Sequence, residues 1–172
     1  MSRQLWLLRH AEAEPHGVRP DSERRLTPRG ERQARAAGAA IARLQARFDA
    51  VLFSPKVRAR ETAEIASEQW DEHQRALLRC YPALAEGFDA AQANDAALEA
   101  PQDGRVLLVG HEPDMSRTVA ELTGGAVALK KGGLAVVRLD GLRGELSLLL
   151  RPRDLALIAA VALAGVGSPA DG

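Results

Sequence analysis

The chain has 172 residues, of which 46% are apolar, 27% charged and only 3% aromatic. This length fits a single domain that can bury a sizeable core, and the composition is ordinary for a globular protein. The 23 basic and 23 acidic side chains give a formal net charge of zero. Because no bulk charge attracts the protein to nucleic acid or to an anionic membrane, we expect neither as a partner.

Cysteine usage and apolar runs indicate a cytoplasmic protein. Cys80 is the single cysteine, so an internal disulfide is impossible, and we interpret it as a buried apolar residue rather than a nucleophile. The apolar run 5–8 is too short for a secretory signal. The longest apolar stretch, 155–167, is shorter than the roughly 20 residues that span a bilayer as a helix. We therefore predict a tail packed on the domain or on a partner subunit, with a membrane-associated tail as the alternative.

The apolar pattern predicts strands that alternate with helices. In the first half we predict a strand over 3–9, a loop over 11–25, a helix over 28–47, a strand over 50–53 and a helix over 57–69. In the second half we predict a strand over 77–81, a loop over 82–89, a helix over 90–99, a strand over 105–109, a helix over 114–122 and strands over 134–139 and 145–150. This order predicts an α/β fold with a mostly parallel sheet covered by helices on both faces.

Polar side chains follow three of the predicted strands. They are Arg9-His10 after the first strand, the segment 54–58 after the second, and Gly110-His111 after the strand over 105–109. Ligands of such sheets bind at the carboxyl ends of the strands, so we expect these segments to converge.

Arginine and histidine in such a cluster suit a phosphate dianion. The guanidinium group of arginine is a permanently charged fork that matches phosphate oxygens. One nitrogen of a histidine can attack phosphorus while a hydrogen bond holds the other, which divides hydrolysis into two easier displacements. An alkoxide leaving group also needs a proton donor, usually a carboxylic acid.

Four segments resemble motifs of the histidine phosphatase superfamily, also called phosphoglycerate mutase-like. Leu7-Leu8-Arg9-His10-Ala11 resembles the Arg-His-Gly signature, with Ala11 in place of the glycine. The other three, in chain order, are Leu26-Thr27-Pro28-Arg29-Gly30, the segment 54–63, and Val106-Leu107-Leu108-Val109-Gly110-His111. The resemblance covers about residues 3–152 and is greatest to the compact SixA-like branch, called phosphohistidine phosphatases.

The resemblance implies a three-layer α/β/α sandwich and a phosphohistidine mechanism without a metal or other cofactor. It implies that His10 is the nucleophile, and that Arg9, Arg58 and a protonated His111 bind the phosphate. Arg58, not Arg60, matches the second phosphate-binding arginine. We predict one domain over 1–172, in which the tail 153–172 has no assigned role.

The proton donor and the substrate stay open at this stage. Glu86 is the candidate acid, with a solvated loop residue as the alternative, and Asp89 is the lesser candidate. The predicted substrate is a phosphohistidine protein or a small phosphomonoester. The alternative functions are a phosphoglycerate mutase-like phosphotransferase and a non-catalytic phosphate-recognition module. Lys130-Lys131 is interpreted as a solvated turn, with contact to an anionic substrate as the alternative.

Zinc catalysis is not expected, because no metal-binding spacing such as His-Glu-x-x-His or Cys-x-x-Cys is present. Ser54 is interpreted as a turn residue whose hydroxyl is within reach of a bound phosphate.

Overall fold

The computed structural model describes residues 2–161. The strands are β1 (Gln4–Arg9), β2 (Ala50–Phe53), β3 (Leu78–Cys80), β4 (Arg105–Gly110), β5 (Leu134–Asp140) and β6 (Arg143–Leu150). The helices are α1 (Pro28–Arg43), α2 (Val57–Ser67), α3 (Glu72–Arg75), α4 (Ala90–Ala97), α5 (Asp114–Thr123) and α6 (Pro152–Ala160). Short 3-10 helices lie at Asp21–Glu23 and Pro82–Ala85.

The strands form one sheet in the order β3-β2-β4-β1-β5-β6. The first four strands in this order are parallel, whereas β5 is antiparallel to β1 and β6 is antiparallel to β5. The sheet is therefore mostly parallel, as predicted. Because β2, β4 and β1 are parallel neighbours, their carboxyl ends lie side by side at one edge of the sheet.

Helices cover both faces of the sheet and make three layers. On one face α1, α2 and α6 bury apolar side chains such as Ile41 and Leu155 against Leu8 and Leu107. On the other face α4 and α5 do the same against neighbouring residues of β1 and β4. The central strands are nearly continuous in apolar residues because both of their faces are covered. The predicted three-layer α/β/α sandwich is confirmed.

The Leu-Thr-x-x-Gly segment has a steric explanation. The Thr27 hydroxyl accepts a hydrogen bond from the Gly30 N–H and so caps the start of α1. A Cβ atom added to Gly30 would lie 1.9 Å from the Glu12 carbonyl oxygen. A glycine is therefore needed where α1 packs against the loop that follows His10.

Several predicted element ends differ from the structure. Helix α1 ends at Arg43 rather than at residue 47, because Gln45 adopts a left-handed φ of 54° that ends the helix. Helices α2 and α4 each end two residues earlier than predicted, and a 3-10 helix occupies part of the predicted loop 82–89. The interpretation of Cys80 as buried was wrong, since its strand β3 is a short edge strand and the thiol is exposed.

The apolar tail begins as a helix that the sequence prediction did not identify. Helix α6 packs against α1, and its Leu155 side chain is fully buried. The predicted packing of the tail on the domain is therefore confirmed up to Ala160, while 162–167 lie outside the described residues. Between residues 2 and 161, no helix has the length and apolar character needed to cross a bilayer.

Candidate active site

The three predicted polar segments converge at the carboxyl ends of β1, β2 and β4. The His10 N–H donates to the Gly110 carbonyl at 3.0 Å, and the Ser54 N–H donates to the Val109 carbonyl at 3.0 Å. These bonds extend the parallel pairing one residue past each strand. His10 and His111 thereby lie close together, with ring centroids 5.2 Å apart.

His10 is buried and held in one tautomer. Its Nδ1 lies 2.7 Å from the Ala11 carbonyl oxygen, which can only accept, so Nδ1 carries the proton. The Arg58 Nε–H donates to His10 Nε2 at 3.3 Å, so Nε2 is the acceptor. Nε2 is therefore unprotonated, and the lone pair that accepts this bond is the one that a nucleophilic histidine uses.

Arg58 is in the first turn of α2 and points into the site. Arg58 is only 4% exposed, and its Nη1–H donates to the Asp21 backbone carbonyl at 2.6 Å. Arg60, two residues further on, lies on the surface with 49% of its side chain exposed and pairs with Glu64. Residues two apart point to different sides of a helix, which explains why only Arg58 reaches the cleft.

Asp21 is a site residue that the sequence analysis missed. Its carboxylate meets Arg24 at 2.8 Å, Lys56 at 3.1 Å and Arg58 at 3.3 Å. Burial opposes ionisation of Asp21, but hydrogen bonds from Lys56 and Arg24 and the charge of Arg58 outweigh it and keep its pKa below the usual range. No local motif marks Asp21 in its polar loop, since its role arises from contacts with distant residues.

His111 is buried at the end of β4 and bonded to Ser54. Its Nε2 lies 2.7 Å from the fully buried Ser54 hydroxyl, so Ser54 orients the ring as well as shaping the turn. Burial, followed by the charges of Arg58 and Lys56, lowers the pKa of His111 to about 3. This lowered pKa favours the neutral form of His111, whereas the expected protonated form concerns His111 with a phosphate bound. A bound dianion would favour the imidazolium and raise this pKa.

Burial is also the largest influence on His10. Burial lowers the pKa of His10 to about 2. The hydrogen bond to the Ala11 carbonyl acts to raise this pKa, whereas the nearby His111, Arg58 and Arg9 lower it further. These lowered pKa values favour the neutral form of both histidines at pH 7.

Two buried nitrogen atoms of the site lack hydrogen-bond partners within residues 2–161. They are Arg9 Nε and His111 Nδ1. Arg9 is anchored by its Nη1–H, which donates to the Leu129 carbonyl at 2.8 Å.

These residues line a cleft of about 740 Å³, which we call the catalytic cleft. Six cations line it, namely Arg9, Arg24, Lys56, Arg58, Arg117 and Lys131, together with five carboxylates, Glu14, Asp21, Glu86, Glu112 and Asp114. Glu86 is exposed at the cleft and makes no hydrogen bond or ion pair with any other described residue. Asp89, the lesser candidate acid, does not line the cleft, since its carboxylate caps α4 by accepting from the Gln92 N–H.

In the part of the chain that the structure describes, no group of three His, Cys, Asp or Glu side chains is arranged to hold a metal ion. The polar atoms that meet His10 and His111 instead come from arginine, serine and the backbone.

The buried histidines predict a pH-dependent stability. An unfolded histidine has a pKa near 6.5, whereas those of His10 and His111 are lowered to about 2 and about 3. Between pH 3 and 6.5 the unfolded chain binds more protons, so the free energy of unfolding is highest above pH 6.5 and decreases as the pH falls. We expect a loss of about 2 kcal/mol per histidine at pH 5 relative to pH 7.

Urea unfolding of the wild type and of His111→Gln at pH 5 and pH 7 measures this loss. The variant should lose less stability on acidification, and His73→Gln, which alters an exposed histidine, should behave as the wild type. The same pH dependence in His111→Gln and the wild type would contradict the prediction.

Comparison with known proteins identifies the family. Residues 5–90 match the model of the histidine phosphatase superfamily (branch 1). An uncharacterised protein of Picosynechococcus sp. is 30% identical over 169 residues, with 88% of this chain and 98% of that protein covered.

Solved structures agree in fold over most of the chain. The structure of the protein histidine phosphatase SixA complexed with tungstate has a TM-score of 0.78 and 26% identity, covering 88% of this chain and 99% of that one. A candidate SixA phosphohistidine phosphatase from Nakamurella multipartitia has a TM-score of 0.72 and 30% identity, covering 88% and 97%.

Fold, site and relatives together define a histidine-dependent phosphatase. The chain belongs to the histidine phosphatase superfamily, and its structural relatives place it in the SixA-like branch. This confirms the family that the four sequence motifs indicated.

Proposed function

We propose that this protein hydrolyses phosphohistidine in a protein substrate, through a covalent phosphohistidine intermediate on His10. The observation that carries the proposal is the tautomer of His10, whose Nε2 lone pair faces the guanidinium of Arg58 within the catalytic cleft. The tungstate bound by the related SixA structure supports an oxyanion as the ligand, since tungstate resembles phosphate in shape and charge. Small phosphomonoesters are the second class of substrate.

In the first step, His10 Nε2 attacks the phosphorus atom and a new P–N bond forms. The bond from phosphorus to the substrate nitrogen breaks, and its electron pair leaves with the substrate imidazole, which takes a proton from solvent. In the second step, water attacks phosphorus and gives a proton to solvent, the bond to His10 breaks with its electron pair returning to Nε2, and orthophosphate is released. Splitting the reaction in this way replaces one difficult displacement with two easier ones.

The charge of the transferred phosphoryl group is stabilised by Arg9, Arg58 and His111. The guanidinium groups are positioned before the substrate binds, because Arg9 is anchored to the Leu129 carbonyl and Arg58 to Asp21. Preorganised donors of this kind supply most of the catalysis in phosphoryl transfer, which needs little covalent chemistry from the protein. His111 becomes a stronger donor when the dianion raises its pKa.

The position of Glu86 favours phosphohistidine over an ester. A general acid must be held within hydrogen-bond reach of the leaving group, whereas Glu86 is exposed beside the cleft and no hydrogen bond or ion pair with a described residue fixes its position. An imidazole leaving group needs less proton donation than an alkoxide. Glu86 is therefore the proposed donor for ester substrates and is dispensable for a phosphoramidate.

If Glu86 protonates the leaving group of esters alone, Glu86→Gln should impair ester hydrolysis and spare phosphohistidine hydrolysis. We expect phosphoserine hydrolysis to fall about 10²-fold in kcat/KM, as is typical on loss of a general acid, because the alkoxide then leaves unprotonated. Hydrolysis of a phosphohistidine peptide should change less than threefold. The kcat/KM for both substrates measures this, with Glu99→Gln on the far surface as the control. Equal losses on both substrates would contradict the assigned role.

The proposed function is tested by supplying a phosphohistidine peptide and 4-nitrophenyl phosphate separately and following phosphate release. Rapid quenching should trap an acid-labile phosphate on the protein. The absence of both turnover and phosphoenzyme would disprove the phosphatase mechanism. Tight binding without turnover would favour a recognition module, and phosphoryl transfer faster than phosphate release would favour a mutase.

A further inference from the structure

A second cleft of about 680 Å³ adjoins the catalytic cleft. The two clefts share Arg9 and Lys131 in their walls, so they lie side by side at the end of β1. Six cations line the second cleft, which we call the basic cleft: Arg9, Arg29, Lys130, Lys131, Arg151 and Arg153.

The basic cleft is far less balanced in charge than the catalytic cleft. In the catalytic cleft six cations face five carboxylates, whereas in the basic cleft Glu12 is the one carboxylate among the lining residues. Glu12 meets Arg29 at 3.4 Å, and Asp154, outside the lining, pairs with Arg151 at 3.0 Å and with Arg153 at 3.7 Å. Since the whole chain has no net charge, the positive excess in the basic cleft is a local feature.

Two residues contribute most of this excess. Lys130 and Lys131 are exposed and form no ion pair with the rest of residues 2–161. They lie in the turn before β5, where the Gly132 N–H donates to the backbone carbonyls of Arg9 and His10. The turn is thus tied to the strand end that bears the proposed nucleophile, which places unpaired positive charge next to the reacting group.

The form of the basic cleft suits a macromolecular surface rather than a small ligand. Small-molecule sites enclose their ligand and orient it with a few well-placed polar groups. Here the side chains of Arg29, Arg151 and Arg153 are 69%, 54% and 70% exposed. Long exposed cations attract a charged partner over a distance and pair with it in a salt-dependent way.

We propose that the basic cleft docks an acidic segment of a protein substrate while the phosphorylated side chain of that substrate occupies the catalytic cleft. The inference rests on the proposed function and extends it, because it assigns the chemistry of the substrate around the phosphorylated residue. Carboxylates on the substrate would pair with Lys130 and Lys131 on one side and with Arg153 on the other. Each exposed pair contributes little, so the docking depends on several pairs acting together.

Binding of fluorescent peptides to the full chain carrying His10→Ala tests this inference without turnover. One peptide has a phosphoserine flanked by glutamates on both sides, and the second has the same phosphoserine flanked by serines. We expect the acidic peptide to bind about tenfold more tightly in 50 mM salt, and the difference to vanish in 0.5 M salt, where exposed charges are screened.

Charge reversal identifies the surface involved. Adding Lys130→Glu and Arg153→Glu to this chain should abolish the preference for the acidic peptide. Adding Arg75→Glu and Arg143→Glu, which reverses two exposed arginines elsewhere, should leave the preference intact. Equal binding of the two peptides, or a preference that survives Lys130→Glu with Arg153→Glu, would overturn the inference.

A single-stranded oligonucleotide of the same charge serves as the competing ligand. If it bound more tightly than the acidic peptide and depended on the same two residues, nucleic acid would be the occupant and the inference would fail. Phosphatase activity is measured separately on the wild type with 4-nitrophenyl phosphate. Failure of the proposed function would therefore show as lost turnover, whereas failure of the docking inference would show as lost peptide preference.

Discussion

Replacing His10 with alanine should lower kcat/KM by at least about 10⁴-fold on every substrate, because removal of a nucleophile leaves only binding and electrostatic stabilisation. The variant should also form no acid-labile phosphoenzyme. Steady-state hydrolysis of 4-nitrophenyl phosphate measures the first effect, and quenching after incubation with a phosphohistidine peptide measures the second.

His73→Ala is the matched control for this experiment. His73 is an exposed histidine on α3, so its replacement should retain full activity and phosphoenzyme formation. Circular dichroism and urea unfolding establish that His10→Ala is folded, since burial of a smaller neutral side chain should preserve the sheet. A folded His10→Ala with wild-type turnover would rule out His10 as the nucleophile.

Replacing Arg58 with alanine should cost about 10² to 10³-fold in kcat/KM, the usual effect of removing one preorganised donor to a developing anion. Most of the loss should lie in kcat, because charge stabilisation by the guanidinium increases as the phosphoryl group is transferred. Arg58→Lys should recover only part of it, because an ammonium group cannot reproduce the planar fork that spans His10 and Asp21.

Arg60→Ala is the control for Arg58→Ala, because it removes an arginine from the same helix that faces solvent and pairs with Glu64. Its kcat and KM should remain within twofold of the wild type. If Arg60→Ala were the more damaging of the two, the assignment of the second phosphate-binding arginine would be wrong.

Much of the fold could be read from local patterns. The apolar runs placed β1, β2 and β4 within one or two residues of their observed limits. The Thr27-Pro28 pair marked the start of α1 at the observed position. Helix ends were less accurate, because they depend on a single residue such as Gln45 leaving the helical conformation. Helix α6 was missed because its apolar composition is equally typical of an irregular packed tail.

The tail and Cys80 show where local patterns were insufficient. Burial of a side chain depends on which element packs against it, as α1 does against α6. The exposure of Cys80 depends on the place of its three-residue strand in the sheet. The position of β3 at the edge follows from pairing with β2 alone, a long-range contact that no local signal in the sequence reveals.

The sequence by itself determined the family, the order of the six strands, four of the six helices, and the residues proposed for catalysis, because motif spacing and apolar periodicity are local properties of the chain. Only the tertiary structure decided how those residues meet: the tautomer of His10, the lowered pKa of His111, and the bond of His111 to Ser54. Asp21 and the basic cleft likewise appeared only after folding, since each gathers charges from distant segments. A pKa and a charge surplus depend on distances between atoms, and those distances exist only once the sheet has brought its strand ends together.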